Sequence, residues 1–468
     1  MARHSKNIDM TNGPIIKGFL LFSVPIMLSG ILQLLFNAAD TVVVGRFGSE
    51  TALGAVGSTS ALITLIVNLF MGLSVGASVT AAHCYGAKDP AGVHQVVHTS
   101  ILASAVTGVV VGMIGIAVST PALRLMGTPD NVIDQASTYM KIYFCGMPAM
   151  MVYNFGASIL RSAGDTKRPL YYLSVAGVVN IVLNLIFVIV FHLDVAGVAI
   201  ATVISQFISA ICILAHMMRC DKWYRLELKK LRIYPEKLKR IIWIGVPAGL
   251  QGTVFSISNV VLQSSINSFG SIAINGNTAA ANLEGFMYLA VNAFHQSSVS
   301  FTGQNIGAGK FHRAGTIMKA ALGLSAAVSV VMGGAFLLLR EPLLHIYIPA
   351  YMSNSAQAVA YGVSRLLIIC STYFLCAGND VMTGVLRGMG ASLAPALISV
   401  IGVCGTRILW VLLVFPFYHS LVSLYISYPV SWFVSFGAQL LCFFVVKKRM
   451  LRRYQEDTIQ KETAESPL

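Results

Sequence analysis

The chain has 468 residues, of which 56% are hydrophobic and only 11% are charged, and its basic residues exceed its acidic ones by 14. A soluble domain carries about 25% charged residues, so the composition excludes a water-soluble fold and indicates that lipid is the solvent. The positive excess lies at chain positions that report membrane orientation, which argues against a nucleic-acid partner.

The apolar runs, taken in chain order, predict an all-α membrane protein with twelve transmembrane helices. A spanning helix needs about 20 mainly apolar residues, and an even number of spans places both termini on the same side of the membrane. The predicted spans are 17–40, 52–76, 93–118, 136–160, 169–191, 196–218, 240–266, 277–302, 314–338, 357–386, 394–415 and 420–446.

The Lys and Arg residues predict which side holds the termini. With both termini in the cytoplasm, 26 basic residues fall in the inner segments and only Arg46, Arg124 and Arg340 in the outer loops. Inner loops of membrane proteins carry this excess of Lys and Arg. We therefore expect a multi-pass protein of the bacterial inner (cytoplasmic) membrane with both ends cytoplasmic.

The second half of the sequence repeats the first. A shift of 222 residues places residues 17–37 on residues 239–259, with Pro25 opposite Pro247. "YGAK" meets "IGAG" at a shift of 221, and "ILRSAGDTKRP" meets "VLRGMGASLAP" at a shift of 226. Three blocks in the same order indicate an internal duplication. Because each copy holds six spans, the copies insert the same way up, as parallel six-helix lobes related by a pseudo-two-fold axis along the membrane normal.

The duplication predicts the domain organisation. We expect an N-terminal lobe at 1–218, a basic cytoplasmic linker at 219–239, a C-terminal lobe at 240–446 and a cytoplasmic tail at 447–468. The two aligned prolines each remove a helix hydrogen bond, so we expect Pro25 and Pro247 to act as hinges, with a static kink as the alternative.

A single acidic residue follows 22 uncharged residues in the first span. This is Asp40, and its expected neighbours in later spans are amides and a hydroxyl, namely Asn154, Asn180, Asn184 and Thr202. A charge in the hydrocarbon costs at least about 2.5–3.5 kcal/mol and marks a functional site by default. The carboxylate is able to take a proton or, with oxygen neighbours, to bind sodium. The alternative is an interfacial anchor with asparagines that join helices.

The second lobe carries different ionisable residues within its spans. Asp380 and Arg407 lie at similar distances from one short inner loop, so at about 1.5 Å per residue we expect an intramembrane ion pair between them. Glu284 has no basic residue in its own span and is expected to face a substrate cavity. "GQNIGAGKF" lacks the glycine spacing and the Ser or Thr of a phosphate loop, so no nucleotide site is predicted.

Six segments together resemble the MATE (multidrug and toxic compound extrusion) transporters. They are "SVPIMLSGILQLLFNAADTVVVGRFG", "VGASVTAAHCYGAKD", "ILRSAGDTKRP", "NIVLN", "SFTGQNIGAGK" and "VLRGMGAS". The resemblance covers the chain from about Lys6 to Lys447 and is nearest to the bacterial DinF-like branch. It implies a V-shaped two-lobe exporter that exchanges organic, often cationic compounds for inward H+ or Na+. The residues themselves predict no enzyme site, no metal site and no cofactor besides the coupling ion.

Carried over residue by residue, the resemblance places the family's cation site on the Asp40 group. In some DinF-like members the Asn184 position is an aspartate, so this chain has one carboxylate fewer there. The acids of NorM-like members fall on Phe255 and Cys376. Adaptable methionines and aromatic side chains suit promiscuous binding, and the predicted substrate cavity contains Glu284, Met27, Phe36, Phe255, Met287 and Tyr288.

Other kinds of membrane protein fit the sequence less well. A lipid-linked oligosaccharide flippase of the same superfamily fold is the main alternative, although only Arg365 and Arg407 are available to meet phosphate in a cavity. A membrane-embedded enzyme would need clustered nucleophiles at one depth, which the sequence lacks. We expect small-molecule organic substrates, contact with membrane lipid, no nucleic acid, and a monomer.

Overall fold

The computed structural model describes residues 8–49, 51–349 and 354–465, so the parts of the predicted N-terminal lobe, outer loop and tail at 1–7, 50, 350–353 and 466–468 lie outside the described residues. The regular secondary structure of the described residues is helical, with no strand among them. The helices are α1 Ile15–Phe47, α2 Ala52–Gly86, α3 Pro90–Leu125, α4 Asp130–Cys145, α5 Met147–Ser162, α6 Lys167–Leu185, α7 Asp194–Arg219, α8 Pro235–Asn267, α9 Ser271–Gly307, α10 Phe311–Leu338, α11 Arg340–Tyr347, α12 Ser355–Gly388, α13 Leu393–Ser399, α14 Thr406–Leu409 and α15 Leu421–Glu465.

Short π-helical segments continue two of these spans. One follows α6 at Ile186–Val190, and two flank α14 at Val400–Gly405 and Trp410–Val414. The predicted fifth and eleventh spans are therefore each continuous across the membrane with a local change of helical pitch.

Ten helices of the described residues are long and apolar enough to cross a membrane. The two predicted spans that do not meet this standard are the fourth and the eighth. The fourth is divided at Gly146 into α4 and α5, since Pro148 in the first turn of α5 has no N–H to continue α4. The eighth is α9, whose 37 residues include buried polar side chains such as Asn277 and Glu284. The protein is an all-α membrane protein with the twelve-span fold.

The chain forms two compact units. The first contains Leu20–Thr253 and the residues up to Asp9, and the second contains Met10–Phe19 and the residues from Val254 onward. The start of α1 therefore belongs to the second unit and the start of α8 to the first. The division into lobes at residues 218 and 240 stays a prediction.

In the first unit, α8 approaches α2 through glycines. A Cβ atom on Gly72 would lie 2.1 Å from the backbone nitrogen of Gly249, and one on Gly76 would lie 2.1 Å from the carbonyl oxygen of Ile241. No side chain fits at such distances, so small residues allow the two backbones to meet, as in other membrane helix pairs.

The basic linker is anchored to the first unit. Tyr224 is fully buried, and the backbone N–H of Tyr234 donates to Thr99 Oγ1 at 3.0 Å. The His98 ring lies within hydrogen-bond distance of the backbone of Glu227. Burial raises the pKa of the Tyr224 hydroxyl above its usual range. The linker is thus hydrogen-bonded to α3, and most of its charged side chains are exposed.

The duplicated sequence blocks have the same backbone turns. Gly164 and Gly390, which align at the shift of 226, both have φ of 87°. Lys88 and Gly309, which align at the shift of 221, have φ of 53° and 70°. Left-handed backbone of this kind favours glycine, so Lys88 occupies a conformation that its counterpart adopts without strain.

In the second unit, α12 packs against α9, α10 and α15. Its inner face includes Leu366, Ile369 and Tyr373, which join an apolar core with Leu283 of α9 and Trp432 of α15. The polar residues of α9 and α12 described below lie beside this core.

Candidate functional site

In the first unit, three helices bring polar side chains together. Asp40 lies on α1 and is half-buried, Asn180 and Asn184 lie one turn apart on α6 and are buried, and Thr202 lies on α7. Residues four apart on a helix share a face, so the two asparagines point to the same neighbours. We call these four residues the Asp40 cluster.

Hydrogen bonds connect the cluster. The Asn184 amide donates to Asp40 Oδ1 and, at 3.3 Å, to Asn180 Oδ1. The Asn180 amide donates to Thr202 Oγ1 at 3.4 Å. Thr202 Oγ1 has two acceptors in reach, the carbonyl oxygen of Val198 at 2.9 Å and Asp40 Oδ2 at 3.4 Å.

The Asp40 carboxylate has neutral partners only. None of the ion pairs found among the described residues includes it. Next to it, Asn184 Oδ1 is a buried oxygen without a hydrogen-bond partner. Carboxylate, amide and hydroxyl oxygens are the ligands of hard cations, so the cluster is able to hold a proton on Asp40 or a sodium ion between Asp40, Asn180, Asn184 and Thr202.

Asn154 does not join the cluster. Its amide donates to the carbonyl oxygen of Met150 at 2.8 Å, one turn back on α5, and it has no hydrogen bond to Asp40 or Thr202 in the described part of the chain. Its position in the sequence predicted a similar depth in the membrane, but its amide donates a hydrogen bond within α5 instead of to Asp40.

In the second unit, Glu284 forms an ion pair that the sequence analysis missed. Arg365 on α12 donates from Nε and Nη2 to the two carboxylate oxygens of Glu284, both at 2.7 Å, and from Nη1 to Asn277 Oδ1 at 2.6 Å. The side chains of Arg365 and Glu284 are only 6% and 11% exposed. The signal for this pair was Arg365 itself, one of three basic residues inside the spans. Its partner lies on another helix, 81 positions away.

The predicted ion pair of Asp380 and Arg407 is wrong. The ion pairs of the described residues do not include it. Arg407 instead lies over the Tyr428 ring, with Cζ 4.2 Å from its centroid, and its Nε donates to Ser431 at 3.1 Å. Equal depth in the membrane did not bring the side chains together, because the direction in which each helix face points also decides contact.

A cavity of about 430 Å³ lies within the second unit. Of the predicted cavity residues, Glu284, Phe255 and Tyr288 line it, and so do Asp380 and Arg407. Met287 does not, because it is buried against Cys370 with the two sulfur atoms 3.7 Å apart.

The remaining predicted residues lie in the first unit. Met27 and Phe36 are half-buried on α1, and the Phe36 ring fills the space beside Gly177 of α6. Pro25 and Pro247 lie inside α1 and α8, and their action as hinges stays a prediction.

Comparison with known proteins establishes the family. The sequence model of the MatE family matches residues 25–186 and 247–413, one match in each half of the chain. The chain belongs to the MatE family. Both matches include the residues of interest, since Asp40 and Asn184 lie in the first and Glu284 and Arg407 in the second.

Relatives and solved structures agree with this assignment. The chain is similar to two Bacillus subtilis proteins. It is 29% identical to the probable multidrug resistance protein YoeA, over 92% of this chain and 94% of the relative. It is 30% identical to the probable multidrug resistance protein YpnP, over 85% and 87%. Its fold is similar to that of a MATE crystal structure in complex with MaL6, with a TM-score of 0.87 and 22% identity over 96% of this chain and all of the other. This MatE protein is thus a multi-pass membrane transporter and not an enzyme.

Proposed function

We propose that this MatE protein is a secondary active exporter that moves organic, often cationic compounds out of a bacterial cell in exchange for inward H+ or Na+. The relatives named as multidrug resistance proteins support the substrate class. The distribution of basic residues supports the inner membrane with both termini in the cytoplasm. Its partners are small organic molecules and membrane lipid, and it needs no cofactor besides the coupling ion.

The observation that carries the proposal is the Asp40 carboxylate on α1, whose hydrogen-bond partners among the described residues are all neutral. Burying a charge without a counter-ion is costly, and a bound cation at Asp40 removes that cost. The unpartnered Asn184 Oδ1 supplies a further ligand. The transmembrane potential adds about 2.3 kcal/mol per charge per 100 mV to the cation gradient, which is the free energy available for export.

Through the Thr202 hydroxyl, cation binding at Asp40 changes the contact between α1 and α7. It has a single proton, and Val198 and Asp40 compete for it. While Asp40 is negative, it attracts this proton. When Asp40 is neutralised, the hydroxyl donates to Val198 alone, and the contact between α1 and α7 weakens. Pro25, which leaves the carbonyl of Leu21 without its helical hydrogen bond, is the point at which α1 then bends.

The test is dye efflux in inverted membrane vesicles under separate pH and sodium gradients. We expect Asp40→Asn to lower gradient-driven transport at least tenfold, because the variant cannot exchange a charge. The matched control is Asp134→Asn, an exposed carboxylate on α4 of the same unit, which should transport at the wild-type rate. Transport by Asp40→Asn that still follows either gradient would refute the coupling role of the cluster.

The two gradients also identify the ion. Proton coupling predicts transport that responds to the pH gradient without sodium, and sodium coupling predicts the reverse. Transport by the wild-type protein that responds to neither gradient would refute the exporter proposal itself.

A further inference from the structure

The basic linker of the first unit exposes apolar and basic side chains together. Between Arg219 and Lys239 it has eight basic and three acidic residues. Its exposed side chains include three large apolar ones and four basic ones, namely Trp223, Leu228, Ile233, Lys222, Arg225, Lys229 and Arg232. We call these seven residues the linker face.

Other residues of the linker hold it in one position. Tyr224 and Leu226 are buried and belong to the same apolar core as Val97 of α3. The Trp223 ring lies beside the Tyr85 ring of α2, with the two centroids 5.3 Å apart, and 41% of Trp223 is exposed. Because the linker is anchored in this way, the apolar side chains of the linker face stay on the surface of the unit.

The four basic side chains of the linker face have no carboxylate partner. The linker's own ion pair joins Glu227 to Lys230 at 2.7 Å, and none of the ion pairs among the described residues includes a residue of the linker face. The other two acids of the linker, Asp221 and Glu236, are exposed. The linker face therefore keeps a positive charge that an anionic partner can neutralise.

The linker joins two helices that expose apolar side chains along their length. Both α7 and α8 are long and apolar enough to cross a membrane. Phe207 and Ile211 are exposed on α7, and Trp243 and Val246 on α8. Lys239 is exposed on the same face of α8, one turn nearer the linker, which is about 6 Å along the helix axis. A lysine that follows lipid-facing apolar residues extends to the headgroups, so the linker begins and ends at headgroup depth.

We propose that the linker face binds anionic phospholipids of the surrounding membrane, with its basic side chains on the headgroup phosphates and its apolar side chains between the upper acyl chains. Groups of about four to eight Lys and Arg residues beside a span are typical of segments that bind anionic lipid. Exposed apolar side chains among basic ones are typical of segments that lie in the membrane interface. The proposal concerns lipid binding alone, so it does not depend on the transported compound or the coupling ion.

The experiment measures which lipid touches Trp223 in the full-length protein. Liposomes contain equal amounts of phosphatidylglycerol and phosphatidylcholine, and only one of the two carries bromine on its upper acyl chains, where it quenches tryptophan fluorescence on contact. The chain has four tryptophans, and the difference between wild type and Trp223→Phe isolates Trp223. We expect an association constant at least about fivefold higher for phosphatidylglycerol, since even one basic residue beside an anionic surface contributes about that factor.

Variants separate the two kinds of side chain. The double variant Arg225→Gln/Arg232→Gln should lower the preference for phosphatidylglycerol at least about threefold, because it removes two of the four basic groups. The matched control is Arg46→Gln/Arg124→Gln, which removes two other exposed arginines of the same unit and should keep the wild-type preference. Arg124 is 26 residues beyond His98 on α3, so it lies about 40 Å along the helix from the linker.

Leu228→Asn/Ile233→Asn tests the apolar side chains. It should lower the quenching of Trp223 by both lipids to a similar extent, because the linker then lies less deeply in the interface. The charges that select phosphatidylglycerol are unchanged in this variant, so the ratio of the two association constants should remain that of the wild type.

Equal quenching of wild-type Trp223 by the two lipids overturns the proposal. Absence of quenching by either lipid overturns it too, because the linker face would then be directed to water, where an acidic protein surface would be its partner. A preference that disappears when inorganic phosphate replaces chloride at constant ionic strength would assign the basic groups to a soluble anion and would also overturn it. Lipid selectivity in a protein without gradient-driven efflux would refute the proposed function and leave this inference standing.

Discussion

We expect the second unit to lose much of its stability when only one partner of the Glu284–Arg365 ion pair is replaced. Replacing Glu284 by methionine removes two charge-assisted hydrogen bonds of 2.7 Å and leaves Arg365 with Asn277 and two aromatic rings as its neighbours. Such bonds contribute about 1.5–3 kcal/mol each. Removing one partner of a buried pair costs about 3–5 kcal/mol in measured cases.

We therefore expect Glu284→Met to lower the free energy of unfolding by about 3–5 kcal/mol, and Arg365→Met to lower it by a similar amount. The double variant should be less destabilised than either single variant, because it leaves no unpaired charge in the membrane. Reversible unfolding in mixed detergent micelles, with all four proteins in one double-mutant cycle, measures these differences.

An exposed pair of the same length provides the control. Lys230 and Glu227 also lie 2.7 Å apart, but their side chains are 61% and 37% exposed. Glu227→Gln should leave the unfolding midpoint unchanged within error, since exposed pairs contribute little. A double variant whose loss equals the sum of the two single losses would refute the reasoning, because the two residues would then act independently.

Two predictions concern backbone geometry, and thermal unfolding in detergent tests both. Lys88→Gly should stabilise the protein by about 1 kcal/mol, because it relieves left-handed strain, and Gly309→Ala should destabilise it by a similar amount; an unchanged midpoint in both contradicts the strain argument. Gly72→Ala should destabilise the protein by about 1–3 kcal/mol, since its Cβ would meet the backbone of Gly249. The control is Gly57→Ala in the same helix, where a Cβ meets nothing within 4 Å; helix propensity alone favours alanine there, so an equal loss would show that contact with Gly249 is not the cause.

Much of the candidate site in the first unit could be predicted from the order of residues alone. Asp40 stands out because a charge inside a span is rare, and the α6 asparagines stand out because their spacing puts them on one face. Hydrogen bonds join Asp40 to Asn184 and Thr202 as expected. Asn154 shows the limit of such prediction, since its depth in the membrane was estimated from the sequence but its amide donates to the carbonyl oxygen of Met150 in its own helix.

The amino-acid sequence by itself determined the solvent, the twelve spans and the duplication, because hydrophobic length, charge bias and repeated blocks are local properties of the chain. Only the tertiary structure decided which charges meet. Depth in a membrane follows from counting residues at a fixed rise, but the direction of each side chain depends on how helices rotate against their neighbours. That rotation paired Glu284 with Arg365 and left Asp380 and Arg407 facing the same cavity without an ion pair between them.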